Sequence, residues 1–199
     1  MKLIRTFALI GVLAILSGCS ATNFVRPASE TLTMGKSTSA DITKLVGPPS
    51  SKNDNVQMNG EKVHLMNYFH LEGASFWGLI VPQRSLTYTL FNDTMVGEEF
   101  NSTFDVEKTE FDGSKAAAIQ KGKSTRADVI ALMGKPSGEV IYPVIKEKNG
   151  IGLVYAYTYA RFAGMLTSYN NYMLVVTLDD QNVVTDVSYK IDNVEKIKG

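Results

Sequence analysis

The chain has 199 residues, 20 of them basic and 20 acidic, with two histidines and one cysteine. Zero net charge excludes a nucleic-acid binder that works through bulk basicity, and a single cysteine excludes a disulfide-stapled scaffold. Any stable fold must rest on its apolar core, and the length is enough for one large domain or two small ones.

Residues 1–18 read as an export signal. Lys2 and Arg5 precede the apolar run Phe7–Leu16, which is too short to cross a bilayer. Small residues then lead to the one cysteine, Leu16-Ser17-Gly18-Cys19, a sequence that resembles the bacterial lipobox. That resemblance implies cleavage before Cys19, attachment of a diacylglycerol to its sulfur and acylation of the new amino group. Multiple acyl chains hold a protein on a bilayer where one does not. Ser20 stands where the enteric sorting pattern uses aspartate to keep lipoproteins in the inner membrane, so the pattern implies the periplasmic side of the outer membrane. No second apolar run is long enough to span a bilayer.

Residues 19–29 read as a lipidated tether, polar and carrying Pro27. The next feature occurs twice. Gly35–Ser50 reads GKSTSADITKLVGPPS and Gly122–Ser137 reads GKSTRADVIALMGKPS, identical at 10 of 16 positions at a constant offset of 87. Repetition at fixed spacing marks a duplicated structural unit. Each copy carries the punctuation of a short helix. Gly35 and Gly122 sit where a preceding helical turn stops, a turn legible in the second copy as Lys115–Lys121 with Ser114 as its cap. Thr38 and Thr125 stand at the N-cap with Asp41 and Asp128 three residues on, the capping-box spacing. Ile42, Leu45 and Val46, and Val129, Leu132 and Met133, recur at helical spacing. Gly47 and Gly134 end the helix, and Pro49 and Pro136 prevent its resumption.

Three strands are expected downstream in each unit. They are Glu61–Phe69, Arg84–Phe91 and Met95–Phe104 in the first, and Leu153–Arg161, Tyr172–Leu178 and Val183–Ile191 in the second. Leu86, Thr89, Leu90 and Val96 recur as Leu174, Thr177, Leu178 and Val184 at an offset of 88. The fold class expected is therefore α+β: two tandem αα-βββ units, each a short helix pair packed on a three-stranded antiparallel meander. The first unit covers 30–105, a linker 106–113, and the second unit 114–191. A charged tail, 192–199, is expected to fray.

This order, with its GKS/T…D…G.P cassette and final strand–turn–strand, resembles the SmpA/OmlA (BamE-like) family of small outer-membrane lipoproteins, here as two tandem units. The resemblance implies a non-enzymatic role in outer-membrane assembly or integrity. A tandem of such units is also similar to secreted β-lactamase inhibitor proteins, which implies a module that clamps a periplasmic enzyme. Those proteins use disulfides and no lipid anchor.

Chemistry-bearing patterns are scarce. A phosphate-binding loop needs glycine five positions before the Gly-Lys pair, where this chain has Glu30 and Ala117. His64 and His70 lie on one expected strand, about 20 Å apart, too far to share a metal. No G-x-S-x-G elbow or H-E-x-x-H helix is present. No catalytic residue, cofactor, metal or nucleic acid is therefore assigned. The expected partners are a membrane, through the lipid on Cys19, and an envelope protein. The stretches between the first and second strands are apolar where loops are usually polar. One carries Phe76, Trp77, Leu79, Ile80 and Val81, the other Phe162, Met165, Leu166 and Tyr169. They read either as docking surfaces or as residues that close the open end of each small core or pack the two units together, and Leu79, Ile80 and Val81 could also simply extend the second strand.

Overall fold

The two cassettes fold as their punctuation dictates. The computed structural model describes residues 23–73, 80–163 and 166–197. Within it the helices are α1, Ser39–Val46, and α2, Arg126–Met133. Thr38 Oγ1 accepts the Asp41 N–H at 3.3 Å while Asp41 Oδ2 accepts the Thr38 N–H at 2.9 Å, and Thr125 and Asp128 repeat both distances. These bonds from Thr38 and Thr125 hold both aspartate carboxyls below their ordinary range. Gly47 and Gly134 end the helices at φ of 94° and 86°, a conformation that costs glycine little. The Gly-Lys-Ser turns are stitched to the sheet. Gly35 N–H donates to Met95 O and Met95 N–H to Ser37 O, both at 2.8 Å. Gly122 and Ser124 do the same with Val184.

The strands are β1 Ser51–Met58, β2 Glu61–Leu71, β3 Gln83–Phe91, β4 Thr94–Ser102, β5 Gly138–Val140, β6 Ile151–Ala163, β7 Leu166–Leu178 and β8 Val184–Ile197. They form one eight-stranded antiparallel sheet in sequence order, curled into a half-barrel. The expected pair of αα-βββ units is thereby corrected in three ways. First, each unit has one α-helix, not two. The first copy has only turns before Gly35, and the second has a 3-10 helix, Gly113–Ala118, capped by Asp112 and not by Ser114. Six residues are too few to sustain an α-helix, and such pieces settle as 3-10 turns.

Second, each cassette is followed directly by an extra strand, β1 or β5. Asn59-Gly60, with φ of 49° and 86°, makes the two-residue turn from β1 to β2, where Met58 pairs with Glu61. Third, there is a single sheet. β5 pairs with β4 through Glu98↔Glu139 and with β6 through Glu139↔Leu153, so the edge that would end the first unit is covered by the second. The stretch Ala160–Asn171 is not a loop but the β6–β7 hairpin, paired out to Ala163↔Leu166, and the expected fraying tail is β8 as far as Ile197. The offset after the β3–β4 turn is 89, since Met95 and Val184 occupy equivalent places after bulges at Thr89/Leu90 and Thr177/Leu178.

Both helices lie on one face. Under α1, Ile42 packs with Met66, Tyr68, Leu86, Tyr88, Leu90 and Phe100, joined by Phe24 and Leu32 from the chain ahead of the cassette. Under α2, Val129 and Met133 pack with Leu153, Tyr155, Leu174, Val176, Leu178 and Val184, joined by Ile119. Each such buried side chain contributes roughly 1.5–3 kcal/mol. The duplication reaches the details. Tyr68 and Tyr155 each donate a hydroxyl to the glycine carbonyl that ends a helix, Gly47 at 3.0 Å and Gly134 at 2.9 Å, and each meets a phenylalanine, Phe24 or Phe111, at 5.9 Å between ring centres. Among the described residues the opposite face carries an apolar cluster in its middle, where Val144 and Ile145 from the β5–β6 connection pack on Val140, Val154, Ala156 and Val175.

Candidate interaction surface

Two devices hold the halves together, and they define what is left open. On the helix-bearing face the row Tyr88–Glu98–Glu139–Leu153 crosses the junction. Its two glutamates face arginines from outside the sheet. Arg26 bonds Glu98 at 2.7 and 2.9 Å, donates to Ser137 O and lies 4.6 Å over the Phe100 ring, while Arg126 pairs with Glu139. Planar guanidinium groups suit such half-buried carboxylates. These side chains line a groove of about 520 Å³ with Leu32 and Ile130.

On the opposite face β5 is only three residues long, so β4 and β6 would part below it. The gap is bridged by side chains. Asn101 donates to Thr158 O at 3.2 Å and accepts Thr158 N–H at 2.6 Å, doing the work of a missing peptide, and Gln83 Nε2 donates to the same carbonyl. Further out, Val81 N–H donates to Ala160 O at 2.9 Å and Ile80 bridges Arg161.

The structure thus separates the sequence-derived interaction residues. Ile80 is half-buried at the junction of the units, and Val81 is buried there. Tyr169, on β7 opposite Ala160, is 47% exposed. Burial and then the charge of Glu99 push its phenol above the ordinary range. Phe162 and Leu166 pair with Thr167 and Ala163 in the β6–β7 hairpin, and their side chains lie outside the described residues. Cys19, Phe76, Trp77, Leu79 and Met165 lie outside the described residues altogether.

A further aromatic surface, partly open, is one the sequence reading did not single out. β6, β7 and β8 continue past the cover of α2, and the helix-bearing face of that extension is aromatic. Tyr157 and Tyr159 lie 5.4 Å apart on β6, and Tyr159 stacks on Tyr172 of β7 at 6.3 Å. Tyr189 and Ile191 follow on β8, 37% and 50% exposed. Lys108 and Arg161 sit over Tyr157 and Tyr159 at 5.8 and 5.7 Å. The alternation Tyr155, Tyr157, Tyr159 was a legible signal, but how far the row ran past the helix depended on hairpin length.

Among the described residues, the histidines lie apart from one another. His64 and Asp54 share a 2.9 Å hydrogen bond at the surface, and Ser39 lines the same shallow groove. No hydrogen bond joins Ser39 to His64, so the three do not form a nucleophile–base pair. His70 is stacked 6.1 Å from Phe104, with Arg84 and Glu107 forming an ion pair nearby. Among the described residues no group of three or more His, Cys, Asp or Glu is placed to hold a metal, and no helix is long and apolar enough to cross a membrane. No family model matches the chain, and the comparisons with curated proteins and with solved structures gave no match.

Proposed function

We propose that this protein is a non-enzymatic protein-interaction module, held by a lipid on Cys19 at the periplasmic side of the outer membrane and acting in envelope assembly or integrity, as the resemblance of its cassettes to the SmpA/OmlA lipoproteins suggests. The observation that carries the reading is the leader ending in Leu16-Ser17-Gly18-Cys19. The tyrosine-rich face of β6–β8 supports a protein partner, because the half-buried Tyr159 and Tyr172 and the exposed Tyr189, with Arg161 over Tyr159, offer contact area at little entropic cost. Phe24 is buried in the first core, five residues after Cys19. A chain of that length reaches at most about 17 Å, so the anchor would hold the Phe24 end of the sheet close to the bilayer.

Fractionation tests the anchor. Cys19→Ala should move the protein from the membrane to the soluble fraction, and continued membrane retention overturns the anchor. Cross-linked pull-down from intact envelopes tests the partner. Recovery of barrel-assembly subunits, reduced by Tyr159→Ala with Tyr172→Ala, is expected. Recovery of one soluble hydrolase alone would replace the assembly role with that of an inhibitor.

A further inference from the structure

The sequence treats the two outer strands of the sheet differently. β1 is eight residues long, polar and irregular in register between Asn53 and Val56, which is how exposed edges are kept from pairing. β8 is fourteen residues long. Only its first residue, Val184, exchanges backbone bonds with the cassette. From Thr185 to Ile197 its ladder runs to β7, and among the described residues no other backbone bond reaches it. Alternate residues along that stretch, about 40 Å of strand, direct unpaired N–H and C=O groups outward.

The midpoint of this free stretch is Ile191, exposed and flanked by Lys190 and Asp192. Neither flanking residue makes an ion pair among the described residues. We propose that β8 pairs antiparallel with β8 of a second copy of this chain, about a two-fold axis at Ile191, joining two half-barrels into one continuous sheet. Directly opposed residues of an antiparallel pair share a face and interact by charge. Centred on Ile191, Lys190 stands opposite the second copy's Asp192 and Asp192 opposite its Lys190. Farther out, Asp186 and Lys196 are set opposite each other in the same way. Ile191 meets its own copy on the helix-bearing face, beside Tyr189.

The register is selective. Centring on Tyr189 sets Asp186 against Asp192, and centring on Asn193 sets Lys190 against Lys196. Centring on Lys190 or Asp192 sets each against itself. Centring on Ser188 or Val194 also opposes unlike charges, Asp186 with Lys190 or Asp192 with Lys196, but pairs only part of the free stretch. Ile191 alone pairs the whole of it with no like charges opposed. A closed two-fold contact of this kind satisfies both edges and adds no further strand.

The test uses the full chain, with the unsubstituted protein run alongside to account for Cys19. In Ile191→Cys the two introduced cysteines would lie within disulfide reach across the axis, so mild oxidation should give a covalent dimer. Thr185→Cys lies far from the axis and should give none. Adding Lys190→Asp to Ile191→Cys should raise the dimer dissociation constant, measured by sedimentation under reducing conditions, at least about tenfold. Adding Asp192→Lys as well should restore both dimer and cross-link, which also shows that the variants fold. The proposal is overturned if Ile191→Cys remains uncross-linked, or if Thr185→Cys links equally well. It is also overturned if the double charge reversal fails to restore pairing, or if Ile191→Cys captures another protein's strand in place of a second copy.

Discussion

Glu98 and Glu99 are neighbours on β4 with opposite environments, because successive strand residues face opposite sides. Glu98 receives Arg26. Glu99, on the other face between Thr87 and Gly138, receives no ion-pair partner among the described residues, and burial pushes its carboxyl above the ordinary range. A folded-state pKa above the unfolded value means that the carboxylate is penalised at neutral pH, and the penalty disappears once both states are protonated, below about 4.5. Glu99→Gln should therefore raise the urea midpoint at pH 7.5, and the gain should vanish near pH 4. An equal gain at both values would show that the charge is not its source. Asp41 and Asp128 carry the opposite sign. Their lowered values make the caps stabilising above about pH 3.8, and that contribution is lost as pH falls through the folded value.

At the scale of elements, the junction of β4, β5 and β6 is where the sheet depends on single residues. Asn101 bonds both peptide groups of Thr158, so Asn101→Ala leaves the Thr158 N–H without its partner and the carbonyl to Gln83 alone, and should cost about 1–3 kcal/mol in chemical denaturation. Thr87→Ala, which removes only a 3.1 Å contact with Asn67, is the control and should cost no more than about 1.5 kcal/mol. Equal losses would mean that Asn101 is not standing in for a strand. Of this junction only the packing of Ile80 and Val81 between the units was legible in the sequence, as one of the readings left open. The cassettes were legible, because capping threonines, aspartates and terminal glycines act on their immediate neighbours. The long strands were too, because alternation is local. β1 escaped notice because SKNDNVQM has no apolar face, although the Asn59-Gly60 turn beside it was a readable hairpin signal. β5 escaped because three residues carry no period, and its existence is decided by β4 and β6 on either side. The tyrosine face was half legible. Its alternation could be read, but its exposure was set by strands that outrun α2.

At the scale of the molecule, duplication produced one sheet and not two, and this changes what a local lesion does. Phe24 belongs to the first core, where it meets Tyr68, and two residues on Arg26 binds Glu98 of β4 and the carbonyl of Ser137 ahead of β5. One short segment therefore bears on the first core and on the junction at once. Loss of a fully packed phenylalanine costs about 3–5 kcal/mol. If the two units folded independently, Phe24→Ala would accelerate amide exchange in β2 and β3 and leave β6 and β7 untouched. A continuous sheet predicts otherwise. The first half cannot open without stripping β4 from β5, and β5 has too few residues to persist on β6 alone. β6 would then lose its pairing to β5, Asn101 and Val81 together. The expected outcome of Phe24→Ala, read by hydrogen exchange, is a comparable drop in protection for Tyr68 and Leu86 in the first half and for Tyr155 and Leu174 in the second. Protection that falls in the first half only would mean that the shared sheet does not couple the units.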